Sequence, residues 1–139
     1  MIWQGTSLID APFTAAFANG ELVVGQTRLR LVSEDPTDVR AVAPNGAAYR
    51  LHKAGLTVAR YLADCDGRAY SARCTGGKRR EITDAAGRVI ARTRGRADGS
   101  LDLAVSAVSE GVDPVDLAFI TWGLTYVDTP TRRTRRIRR

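Results

Sequence analysis

A chain of 139 residues is the size of one domain, too short for two well-built cores and long enough for one without disulfide or metal staples. Its 44% hydrophobic and 26% charged residues exclude a disordered chain. The net charge of +6 is local: six of the 21 lysines and arginines are Arg132, Arg133, Arg135, Arg136, Arg138 and Arg139, and the remaining 15 equal the 15 acidic residues, so the pI of about 10.0 reports the C-terminus and not the body.

Only Lys53 and Lys78 are lysines, against nineteen arginines and many alanines, a composition that suggests GC-rich bacterial coding. Met1 to Phe17 lacks the basic start and long apolar run of a secretory signal. The longest apolar-leaning stretch, 117–127, is about half of the roughly 20 residues that cross a bilayer. A soluble, cytoplasmic body is the expectation.

In chain order, the first twenty residues read as a strand and a loop. From Glu21 to Val108 the pattern is of short strands: Leu22–Val32, Ala47–Lys53, Leu56–Asp64, Arg68–Thr75, Arg80–Thr83, Arg88–Arg96 and Ser100–Val108. They are punctuated by Asp35-Pro36, Pro44-Asn45-Gly46, Asp66-Gly67, Gly76-Gly77, Ala86-Gly87 and Asp98-Gly99. Turn signals at such regular spacing argue for a mainly β fold built as an antiparallel meander, sandwich or barrel.

Two hairpins have a readable register. At Asp98-Gly99 a two-residue loop would set Arg94 opposite Leu103, mixing charge with core. A three-residue loop, Ala97–Gly99 with Gly99 left-handed, sets Arg94 opposite Asp102 and puts Val89, Ala91 and Thr93 on one face with Leu101, Leu103 and Val105. The same choice at Cys65–Gly67 sets Asp64 opposite Arg68 and Leu62 opposite Tyr70.

The chain then changes character. Asp113 is a helix N-cap, Pro114 suits the first helical position, and Asp116 suits the first turn. Residues 114–128 are expected as a helix that is apolar all round, hence buried on most sides. Gly123 in its interior implies a close neighbour there, because glycine costs about 1 kcal/mol in a helix. A strand meander followed by such a helix suggests a closed barrel or strongly curved sheet with the helix as its core. Residues 1–129 then form one domain, and 130–139 a flexible basic tail.

Glu81 to Ala91, the hairpin after it and Val112-Asp113-Pro114 opening an apolar helix resemble the tubby C-terminal-like superfamily, which includes tubby-like, scramblase-like and LURP-one-related proteins. The match spans about 80–127. It implies a closed antiparallel barrel around one hydrophobic helix. The phosphoinositide-binding basic residues of tubby-like members have no matching positions here.

No catalytic, cofactor or metal site is expected. His52 is the only histidine, and a dyad with Cys74 would lack a third orienting group. Asp64 with Asp66, and Asp35 with Asp38, sit at turn positions where aspartate serves local hydrogen bonding. Gly76-Gly77-Lys78 lacks the rest of a phosphate loop. Cys65 and Cys74 fall far apart along one hairpin, so both thiols are expected free.

The tail is the feature that departs from a plain domain. Its six arginines suit anionic lipid, which points to a non-enzymatic binding or scaffold domain docking weakly on a membrane's inner face. The alternative partner is nucleic acid, with the tail as an electrostatic clamp. That reading lacks a basic stripe interleaved with aromatics on the neutral body. A small-ligand binder or enzyme is the third class, and a solvated tail the plain one.

Overall fold

Twelve strands precede one helix: β1 (Ile2–Gln4), β2 (Ser7–Ile9), β3 (Ala15–Ala18), β4 (Glu21–Val24), β5 (Thr27–Asp35), β6 (Asp38–Val42), β7 (Ala48–Lys53), β8 (Arg60–Cys65), β9 (Arg68–Gly76), β10 (Arg79–Asp84), β11 (Val89–Gly95), β12 (Leu101–Val105) and α1 (Pro114–Asp128). The structure, a computed structural model, describes residues 1–57, 59–106 and 111–130. Each strand pairs antiparallel with the next, and β12 returns to β1, so the meander closes into a barrel. Closure removes the unpaired edges that would otherwise invite association.

A twelve-strand barrel is too wide for its own side chains to fill, and α1 occupies the space. The helix packs against β4, β5, β7, β11 and β12, and side chains of β1, β9 and β10 also bond to it, so it is surrounded. Every residue from Asp116 to Asp128 is buried. Trp122 anchors the contact, with Trp3 at 5.0 Å, Phe17 stacked at 4.8 Å and Tyr126 edge-on at 5.6 Å between ring centroids. Trp3 Nε1 donates to Thr121 Oγ1 at 2.8 Å, tying the first strand to the last element. A Cβ added at Gly123 would lie 2.6 Å from Leu51 Cδ2 of β7, the close neighbour its presence implied.

The hairpin at 97–99 has the expected register. Arg94 lies opposite Asp102, Thr93 opposite Leu103 and Ala91 opposite Val105, and Gly99 has φ 94°. A bulge modifies its far end: the pairing with β10 slips between Ile82 and Thr83, so Ile90 is buried while Val89 is only half-buried.

Elsewhere the strand boundaries differ from expectation. The first twenty residues hold β1, β2 and most of β3's hairpin, because two small turns suffice to reverse three-residue strands. The expected Leu22–Val32 strand is two, broken where Gly25 takes φ 58°. β6 emerges between two proline turns, with Val39 and Ala41 facing inward. Leu56 is outside any strand, since β8 begins only at Arg60.

The 65–67 hairpin is also corrected. Cys65 pairs with Arg68, Asp64 with Ala69 and Ala63 with Tyr70. Asp66 (φ 53°) and Gly67 (φ 91°) are both left-handed, the two-residue loop whose twist suits a hairpin. That register turns Tyr61, Ala63 and Cys65 into the core instead of Leu62.

Candidate functional site: the end of the barrel that bears the tail

Both ends of α1 are fixed to the barrel wall by ion pairs to buried carboxylates, from half-exposed Arg68 at the start and buried Arg80 at the end. At the start, Asp113 Oδ1 accepts from Val115 N at 2.8 Å as N-cap. Fully buried Asp116 takes a bidentate bond from Arg68 (2.6 and 2.9 Å) and one from Tyr70 Oη at 2.6 Å. A carboxylate belongs here electrostatically, beside the positive end of the helix dipole. Burial, reinforced by the Asp116 bond, pushes the Tyr70 phenol well above its ordinary value.

The other end opposes that logic. Asp128 is a carboxylate at the negative end of the dipole, and it is buried. Arg80 of β10, only 2% exposed, offsets it with bonds of 2.8 and 3.2 Å and also lies over the Tyr61 ring at 5.2 Å. Gly95 of β11 lets the helix end approach, since a Cβ there would sit 2.2 Å from the Asp128 carbonyl oxygen. Tyr126 Oη donates to Glu34 at 2.8 Å. The chain therefore leaves the helix at one defined end of the barrel, next to the β5–β6, β9–β10 and β11–β12 turns.

The expected anionic-surface residues, Arg132, Arg133, Arg135, Arg136, Arg138 and Arg139, lie outside the described residues. Their attachment point does not. Pro130, the last described residue, is exposed at the end just defined.

This end has a second feature that the sequence concealed. Five acidic side chains of the wall are already paired with arginines: Asp38 with Arg40 and Arg50, Glu81 with Arg73 and Arg92, Asp84 with Arg88, Asp102 with Arg96, and Glu21 with Arg28. Among the described residues, Arg30, Lys53, Arg60, Lys78, Arg79 and Arg94 have no acidic partner within 4 Å. All but Arg30 sit at the tail-bearing end, on or next to three neighbouring turns. Arg79 and Arg94 are directly opposite each other, an unfavourable like-charge pair. They line a shallow groove of about 470 Å³ together with Thr75, Arg92, Arg96 and Asp102. The body is neutral in sum and yet basic on one rim.

The candidate catalytic groups do not converge. His52 lies on the outer row with Asp38 and Leu62, whereas Cys74 is in the inward row of Tyr70 and Ala72, so no dyad forms. Cys65 and Cys74 are both free. Cys65 is buried, and burial pushes its thiol far above the ordinary range. Asp64 Oδ1 accepts from Gly67 N, and Asp35 Oδ1 from Thr37 N, as turn aspartates do. The pairing with Arg40 and Arg50 holds the Asp38 carboxyl far below its ordinary value. Among the described residues no three His, Cys, Asp or Glu side chains come together as metal ligands, and no helix is long and apolar enough to cross a membrane.

No family model matches the chain, and no curated protein or solved structure matches it either.

Proposed function

We propose that this protein is a non-catalytic docking domain that presents a C-terminal arginine tail to an anionic membrane surface, on the cytoplasmic face. The observation that carries the reading is the clamped helix: Arg80–Asp128 and the close seat on Gly95 fix where the tail leaves the barrel. A tail rooted at one point can recruit the barrel with a defined end toward the surface. The reading takes in the tubby-like resemblance of residues 80–127, which implies a closed barrel around an apolar helix.

Each arginine near an anionic leaflet contributes about 1 kcal/mol, so six set an upper bound of about 6 kcal/mol and binding is reversible and salt-sensitive. The test is co-sedimentation with phosphatidylcholine–phosphatidylserine vesicles, comparing the full chain with one ending at Thr131. Tail docking requires a large loss on truncation and release at high salt. Equal binding by both chains would refute it. The unpaired Arg79 and Arg94 favour one second reading, phosphate contacts to nucleic acid. Tighter binding to duplex DNA than to vesicles at matched salt would promote it.

A further inference from the structure

The tail-bearing end presents more than charge. Leu56 is 96% exposed, the most exposed large apolar side chain among the described residues, and it stands in the β7–β8 turn beside Gly55, whose φ is 101°. Lys53 and Arg60 bracket it in sequence, and Lys53 Nζ lies 3.5 Å from the Leu56 carbonyl oxygen. The three cationic turns are joined by backbone bonds: Cys74 N donates to Ala59 O at 2.7 Å, and Gly95 N to Lys78 O at 2.9 Å. One rim thus carries Leu56, Lys53, Arg60, Lys78, Arg79 and Arg94.

We propose that this rim is itself a docking surface for an anionic lipid bilayer, seating the barrel end-on with Leu56 inserted between headgroups. The inference rests on the membrane reading and adds a folded contact to the tail. Lipid is favoured over nucleic acid by Leu56, because an acyl layer rewards a buried leucine and a phosphodiester backbone does not. None of the rim side chains is an aromatic on which bases could stack. Charge complementarity follows from the pairing pattern: Asp102, across from Arg94, is engaged by Arg96, and an anionic headgroup relieves the Arg79–Arg94 opposition that no acid within 4 Å relieves. Asp98 at the β11–β12 tip opposes the rim's charge, but its carboxylate is turned back to the backbone N and hydroxyl of Ser100. Glu34 and Asp35 mark the side of the end, at β5–β6, where the cationic arc stops.

The test uses the full chain and the chain ending at Thr131, each with Leu56→Ser and with Arg79→Gln/Arg94→Gln. All three side-chain changes are at exposed positions, and thermal melting checks that the fold is kept. On mixed vesicles Leu56→Ser is expected to weaken binding about tenfold, with duplex DNA binding unchanged. The double arginine variant is expected to lose about fivefold per arginine and to flatten the salt dependence. The truncated chain should keep a weak, leucine-dependent affinity. Vesicle binding unaffected by either variant but abolished by truncation would overturn the rim and leave the tail reading standing. Undiminished, leucine-dependent binding by the truncated chain would do the reverse. Loss of DNA and vesicle binding in parallel in the arginine variant, with Leu56→Ser neutral, would make the rim a phosphate-backbone surface and also overturn the proposal.

Discussion

Arg80→Met is the sharpest perturbation of the clamp that positions the tail. Both partners of the Arg80–Asp128 pair are nearly inaccessible, at 2% and 4%. Removing the guanidinium leaves Asp128 charged, buried and facing the negative end of its own helix dipole, a loss of about 3–5 kcal/mol. At about 3 °C per kcal/mol for a chain of this size, the melting midpoint should fall by about 9–15 °C. Adding Asp128→Asn removes the orphaned charge at nearly constant shape. The double variant should therefore recover more than about 1 kcal/mol relative to Arg80→Met alone, a coupling that a double-mutant cycle in urea reads directly. An Arg80→Met loss below about 1 kcal/mol, or strictly additive single changes, would refute the claim that this pair holds the helix end.

Three further outcomes follow from the packing and the charge pairs. Gly123→Ala should destabilise by about 1 kcal/mol in urea unfolding despite better helix propensity, because the added methyl meets fully buried Leu51, and Leu51→Val in the same chain should restore most of the loss. Thiol titration should count two groups in the denatured chain and find Cys65 unreactive in the native one; a native count of two would mean the core opens there. Asp38, held below its unfolded value of 3.8 by Arg40 and Arg50, contributes stability that is present above that value and fades as pH falls through the native one. Asp38→Asn should make the acid limb of stability against pH shallower, and an unchanged limb would show that the pair contributes nothing.

The helix was legible to the residue, because Asp113, Pro114 and a largely apolar run each point to the same element. The 97–99 hairpin was legible because only one register kept charge away from Leu101 and Leu103. The 65–67 hairpin misled for the opposite reason: apolar residues occupy both faces of β8, so the pattern did not choose, and the Asp66-Gly67 backbone did. The strands of the first twenty residues are too short for any period to show. The rim was invisible because total charge cancels; it appears only once the fold shows which arginines have acidic partners. Leu56 looked like the start of a strand, and its exposure depends on β8 beginning four residues later.

End-on docking is tested most directly by depth. A nitroxide is attached to cysteine at position 56, or at Ala86 in the β10–β11 turn of the opposite end, in a Cys74→Ser background. Collision with dissolved oxygen and with a water-soluble nickel chelate is then compared on phosphatidylcholine–phosphatidylserine vesicles. Docking by the tail-bearing rim requires the label at 56 to become oxygen-accessible and nickel-shielded, while the label at 86 stays in water. Shielding at 86 instead, or nickel access at both positions on vesicles that hold the protein, would contradict it.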